Sequence, residues 1–305
     1  MLEIRVAESD IELARYAGVV ARVVPQAALT VPELKEVAGK EELVHMVASL
    51  DGASAGAGFC VKDPRMQARR GAFAKVGVLP ECRNRGAGSA LYEAVSSWAR
   101  DRRVELFDTN VGEDDGESLA WVQRRGFRET SRELRVELDL RAIEAPAIDP
   151  PPDVEIMSWA AKPGLARGIY EVACEAYPDV PGYEEDEMLS FDAWLRQDMQ
   201  GSGDRAEATF VALAGDEVVG YAKFSLSKAQ PGVAYHDMTG VKRAWRGRGV
   251  AGALKRAEIA WAKEAGYERL STTNEQRNDP IRRLNKRLGY RPAPGRIFLR
   301  GPLAP

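Results

Sequence analysis

Apolar and polar positions along this 305-residue chain alternate in two rhythms, and the rhythms recur in the same order in each half. In the second half, Val154 to Trp159 reads as a first strand, and Leu165 to Ala176 and Asp186 to Met199 read as helices. Thr209 to Ala214 and Val218 to Ser225 alternate as a hairpin turning at Gly215-Asp216. Val233 to Val241 is a further strand, and the helix after it runs to about Ala265 with Leu254, Ala257, Trp261 and Ala265 on one apolar face. Leu270 to Thr273 reads as a strand, Pro280 to Leu288 as a helix stopped by Gly289, and Ile297 to Leu299 as a last strand. The first half follows the same plan. The order predicts an α+β fold of two tandem domains, each a mixed, mostly antiparallel sheet flanked by helices.

The repetition is also literal. Arg83-Asn84-Arg85-Gly86-Ala87-Gly88 and Arg246-Gly247-Arg248-Gly249-Val250-Ala251 both read Arg-x-x-Gly-x-Gly/Ala, 163 residues apart. The same offset pairs Gly77 with Gly240, Val78 with Val241, Leu91 with Leu254, Trp98 with Trp261, Thr109 with Thr272 and Gly126 with Gly289. A shared offset over several elements means a duplication. Length agrees, since the chain is about twice what a single core comfortably serves. The prolines of Ala145 to Pro152 interrupt periodic structure, so the sequence predicts domains at 1–145 and 153–305 joined by a Pro-rich linker at 146–152.

Composition removes several classes of function. No apolar run approaches the length of a membrane span, and residues 1–25 lack the basic start and apolar run of a secretory signal, so a soluble cytoplasmic protein is expected. A formal net charge of −3 disfavours broad nucleic-acid binding. Cys60, Cys82 and Cys174 have neither metal spacing nor an even count for a disulfide framework, and no metal site is expected.

A strand, an Arg/Gly loop and a helix in succession have a chemical use. Glycines let the backbone approach a ligand, and the loop's N–H groups sit at the positive end of the helix dipole, which suits a phosphate. The spacing is neither a Walker loop nor a dinucleotide fingerprint. With the strand ending in Val, the second strand after the helix, and the helices ending Leu288-Gly289-Tyr290 and Arg125-Gly126-Phe127, the pattern resembles the GNAT superfamily of acyl-CoA-dependent N-acetyltransferases in both halves.

The resemblance implies acetyl-CoA as cofactor and a small-molecule amine as partner, without nucleic acid or membrane, in a monomer or homodimer. In the second domain it places the coenzyme A pyrophosphate on Arg246, Gly247, Arg248, Gly249, Val250 and Ala251, and the pantetheine arm along the strand edge at Met238, Thr239 and Val241. Asn274, Asn278 and Asn285 fall beside that arm, with an N-cap role as the alternative for Asn278. In the first domain the matching positions are Val78, Arg83, Asn84, Arg85, Gly86, Ala87 and Gly88.

The amine must lose a proton before it attacks the thioester. The strand before the second loop carries Tyr235, His236 and Asp237, which are the candidate catalytic residues, with Asp237 or His236 as general base. Adjacent side chains on a strand face opposite sides, so one of those two faces the cleft. Where the family often has an acidic tyrosine, this chain has Asn285 and Val122, leaving Tyr235 or water to protonate the thiolate. The first domain's strand Ala72 to Val78 has no carboxylate or histidine, which predicts a cofactor-binding or structural first half and catalysis in the second. Tyr177, Asp179 and Tyr183 lie on an acidic, aromatic loop, Glu175 to Glu187, suited to a cationic amine, or alternatively a solvated helix start. Two other readings stand beside the enzyme: a catalytically silent acyl-CoA-binding sensor, and a nucleic-acid binder using Arg277, Arg282, Arg283, Lys286 and Arg287.

Overall fold

The computed structural model describes residues 1–40, 42–62, 70–180, 187–201 and 203–305. They form two compact units, residues 1–131 with 296–305, and residues 132–295.

The first unit begins with β1 (Leu2–Val6), α1 (Asp10–Val23) and α2 (Val31–Lys40). A capping box starts α1, in which Ser9 and Glu12 each accept the other's backbone N–H. Then come β2 (Glu42–Leu50), β3 (Ala53–Lys62), β4 (Gly71–Val78), α3 (Ala87–Arg100), β5 (Leu106–Gly112) and α4 (Gly116–Gln123). β1 through β4 pair antiparallel in sequence order, and β4 pairs parallel with β5. α3 forms because Leu91, Val95 and Ala99 repeat at helical spacing, and each is buried against this sheet with Phe107.

The chain enters the second unit along β6 (Arg128–Asp139), followed by β7 (Glu155–Ser158), α5 (Ala166–Ala176), α6 (Phe191–Asp198), β8 (Thr209–Ala214) and β9 (Glu217–Leu226). β10 (Val233–Val241), α7 (Val250–Glu264), β11 (Arg269–Glu275), α8 (Asp279–Arg287) and β12 (Arg291–Pro302) complete the order. The hairpin of β8 and β9 turns where expected, with Gly215 at φ +61°. Of the helix expected over Asp186 to Met199, Asp186 lies outside the described residues, and the helix begins at Phe191, after Ser190 in the extended conformation of an N-cap. Leu254, Ala257, Ile259 and Ala262 of α7 lie inward, and Trp194 of α6 is fully buried against Ile169 and Val172 of α5. The α+β class and the doubled mixed sheet are as the sequence predicts.

The first unit is finished by a strand from the far end of the chain. The part of β12 from Arg296 to Pro302 pairs antiparallel with β5 of the first unit, Arg296 opposite Gly112 and Pro302 opposite Leu106. Arg300 holds Asp108 at 2.8 Å, the Tyr92 hydroxyl donates to the carbonyl of Pro302 at 2.7 Å, and Ala304 N–H donates to Ser96 Oγ at 2.9 Å. β6, in turn, pairs with β11 of the second unit from Glu133 opposite Glu275 to Asp139 opposite Arg269. The segment 146–152 lies within the second unit.

Candidate functional site

In both units the strand before the Arg/Gly loop keeps its parallel partner only briefly. β4 pairs with β5 over Gly71–Phe73, and β10 with β11 over Val233–Tyr235, after which each pair separates. The far end of each strand stays bound on its other side, where Leu79 N–H donates to Ala55 O and Lys242 N–H to Val219 O, both at 2.9 Å. Successive strand N–H groups point to opposite sides, so those of Val78 and Val241 face the opened gaps.

The loops at the gaps share one backbone conformation. Asn84 and Gly86 have φ of +58° and +87°, and Gly247 and Gly249 have +75° and +94°. Two left-handed residues one position apart in each turn aim neighbouring N–H groups to a common side, a concavity suited to an anion. Gly86 and Gly249 are the N-caps of α3 and α7, whose first N–H groups have no intrahelical partner. A side chain would be strained at either glycine, which is why glycine recurs there. The leading arginines repeat as well. Nε of Arg246 donates to Val241 O at 3.0 Å, and Nε of Arg83 reaches Val78 O at 3.5 Å. The first unit's gap opens on a cleft of about 480 Å³, floored by Tyr92, Val95, Phe107, Trp121 and Phe127 and rimmed by the loop. That volume is within the range of small-molecule sites.

The three candidate catalytic side chains are placed very differently. Tyr235 lies where β10 is still paired, and its hydroxyl donates to Gln230 Oε1 at 2.6 Å, away from the opening. His236 lies in the core. Its ring is buried against Phe224, Nδ1 is 2.9 Å from Glu258 Oε2, and Nε2 is bonded to the Tyr290 hydroxyl. Burial, and then the Lys255 ammonium, hold the imidazole well below its usual pKa, so it stays neutral. Burial likewise pushes the Glu258 carboxyl up to about 8 and the Lys255 amine down to about 8. At the offset of 163 residues these buried groups replace the first unit's cleft floor: Lys255 stands for Tyr92, Glu258 for Val95 and Tyr290 for Phe127. We expect His236→Ala to lower stability by about 3 kcal/mol, through loss of ring packing and of Glu258's nearest partner. Chemical denaturation checks this, and an unchanged midpoint would contradict it.

Asp237 occupies a β-bulge, where the register of β10 against β9 shifts between His236 and Met238. Bulges re-aim side chains, and Asp237 remains nearly half exposed. Its carboxylate sits 2.9 Å from Lys223 Nζ, and Asp204 holds the same buried ammonium at 2.7 Å.

The remaining predicted residues divide by place. Gly247, Arg248 and Gly249 are exposed on the loop, Val250 is buried, Ala251 is partly covered, and Met238 and Thr239 line the strand before it. Asn285 is buried in α8 and donates to Asn274 Oδ1 at 2.7 Å, so the structure joins these two candidates to each other. Asn278 stands at the N-cap of α8 without a side-chain capping bond. Asp179 holds Arg243 at 2.8 Å and Arg246 at 2.6 Å, and hydrogen bonds from these arginines keep its pKa down at about 2. Its charge is thus committed to Arg246, which opens the Arg/Gly loop, and to Arg243 just before it. The Tyr177 hydroxyl donates to Asp198 at 3.2 Å, and Tyr183 lies outside the described residues.

In the first unit, Arg83 pairs with Glu117 at 2.7 Å, Arg85 approaches Asp51 at 3.5 Å, Asn84 is exposed, and Ala87 and Gly88 open α3. Sequence reasoning missed Lys75, Asn110 and Arg296 in the cleft wall. Lys75 was visible as the one charged residue of Ala72 to Val78, whereas Arg296 arrives only through β12.

Each α+β unit thus sets an Arg/Gly loop and a helix N-terminus beside a splayed pair of strands, and comparison with known proteins gives this arrangement its family. The profile of the acetyltransferase (GNAT) family matches residues 19–127 and 166–290. The chain belongs to that family, as a tandem N-acetyltransferase. No curated protein matches it. Among solved structures it is similar to a GCN5-related N-acetyltransferase from Sphaerobacter thermophilus, at 20% identity and TM-score 0.75, covering 100% of this chain and 96% of that one. A tandem GNAT protein from the clavulanic acid biosynthesis pathway is 19% identical with TM-score 0.76, covering 100% and 99%. A GNAT-family acetyltransferase from Colwellia psychrerythraea is 14% identical with TM-score 0.61, covering 99% and 100%. Among the described residues, no helix is long and apolar enough to cross a membrane.

Proposed function

We propose that the protein transfers an acetyl group from acetyl-CoA to the primary amine of a small molecule by direct attack on the thioester. The observation that carries this reading is the pair of loops with matching left-handed residues, each opening a helix beside a splayed strand. Residues 83–88 and 246–251 would hold the pyrophosphate through backbone N–H groups at a helix N-terminus. The free strand edge ending at Val78 or Val241 would take the pantetheine as an added strand. The N–H of Val241 would face the thioester oxygen, where one preorganised donor is worth about 3 kcal/mol of transition-state stabilisation.

Within the second unit the proton of the ammonium goes to Asp237, directly or through a water. Of the three side chains singled out on β10, it is the one that combines exposure with a place beside the opening gap. Lys223 fixes the carboxylate while leaving nearly half of the side chain to solvent. Deprotonated amine attacks the carbonyl carbon, a C–N bond forms as the C–S bond breaks, the nitrogen gives up its second proton to water, and coenzyme A leaves as a thiolate that takes that proton back from the water. We expect Asp237→Asn to lower kcat about 100-fold with little change in thermal midpoint, measured as thiol release from acetyl-CoA with a panel of primary amines. Undiminished turnover would remove this assignment and favour the first unit's cleft as the place of reaction.

A further inference from the structure

The first unit's cleft contains two cations that no carboxylate balances among the described residues. Lys75 projects from β4 at the gap, half-buried, and its Nζ donates to Asn110 Oδ1 at 2.7 Å. Asn110 is itself buried, on the facing strand β5. Arg296 lines the same cleft from β12, opposite Gly112. Asp114, Asp115 and Glu117 line the same cleft and Asp108 adjoins it on β5, yet none of them forms an ion pair with these two. Glu117 holds Arg83 at 2.7 Å, Asp108 holds Arg300 at 2.8 Å, Asp115 accepts Ser118 N–H as the cap of α4, and Asp114 lies beside Gly112. The Tyr92 hydroxyl is bonded to Pro302 O. Burial, and then the Arg296 charge, push the Lys75 amine down to about 8, so the two cations work against each other.

A buried or half-buried cation is ordinarily paired. Here the missing partner faces a cavity large enough for a small molecule, above an aromatic floor. We infer that this cleft binds its ligand through a carboxylate set against Lys75 and Arg296, with the ligand's apolar body on Tyr92, Trp121 and Phe127. The carboxylate belongs either to the free end of a dicarboxylic acyl chain or to an amino-acid-like acceptor. Calling the ligand a thioester or an amine rests on the acyl-transfer reading; the anion subsite itself does not.

Isothermal titration of the full chain separates the two sources. One arm compares succinyl-CoA with butyryl-CoA, which differ by a carboxylate in place of a methyl group. The other compares phenylalanine with phenethylamine and lysine with cadaverine, titrated without any thioester. In at least one arm the carboxylate member is expected to bind about tenfold or more tightly. That preference should vanish in Lys75→Met, return in Lys75→Arg, and shrink as pH rises through about 8, where the amine loses its charge. Equal binding in both arms, or a preference that survives both Lys75→Met and Arg296→Met, would overturn the inference. Acetyl-CoA titrated separately keeps the two claims apart. A carboxylate preference in the second arm without acetyl-CoA binding would overturn acyl transfer alone, and acetyl-CoA binding without any preference would overturn the subsite alone.

Discussion

Removing residues 296–305 is expected to unfold the first unit. Those residues supply the strand paired with β5, so their loss leaves seven residues of β5 register, Leu106 to Gly112, without that partner. Ile297 and Leu299, both buried, leave the core beside Phe107 and Leu91. Each large aliphatic deleted from a core costs about 2–5 kcal/mol, and a whole domain is stable by only about 5–15 kcal/mol. The loss also takes Arg300 from Asp108, the Pro302 carbonyl from the Tyr92 hydroxyl and the Ala304 N–H from Ser96. Hydrogen exchange reads the result directly: amides of α3 and β5 should lose protection while those of α7 and β9 keep it. Unchanged protection in α3 would show that the last strand is dispensable to the first unit.

The second large effect is on ligand binding. Gly86→Glu and Gly249→Glu each put a carboxylate where the account places a phosphate. Space is not the obstacle, since nothing lies within 4 Å of a side-chain carbon built at Gly249 and only Leu2, at 3.7 Å, meets one at Gly86. The left-handed backbone costs a non-glycine residue about 1–2 kcal/mol, and a carboxylate at a helix N-terminus returns part of that. The fold should therefore survive. Two unit charges about 4 Å apart at an effective dielectric near 20 repel by about 4 kcal/mol, roughly a thousandfold in affinity.

What could be read from the residues alone was what is encoded locally. The loops were legible because φ above zero demands glycine or asparagine at fixed spacing, and Asn84, Gly86, Gly247 and Gly249 supply it. The sheets were legible from alternation, and the helices from stripes such as Leu254, Ala257 and Trp261. Partnership at a distance was not. Ile297 to Leu299 carries the same strand pattern whichever unit it completes, so its pairing with β5 could not be foreseen. Alternation indicated that His236 and Asp237 would part company, but which one met the core depended on the bulge at Asp237 and on Glu258 and Tyr290 converging from elsewhere. Asp179 read as part of an acidic loop for an amine, and only the fold brings Arg243 and Arg246 to it. Lys75 drew no notice because its significance lies in Arg296, which the last strand delivers.

Calorimetric titration of the full chain with acetyl-CoA, for the wild type, Gly86→Glu, Gly249→Glu and the double variant, tests the central claim most directly. The account predicts binding by the wild type, loss of the corresponding site in each single variant, and none in the double variant while its thermal transition persists. A wild type that binds no acetyl-CoA, or a folded double variant that binds it as tightly as the wild type, would contradict the account.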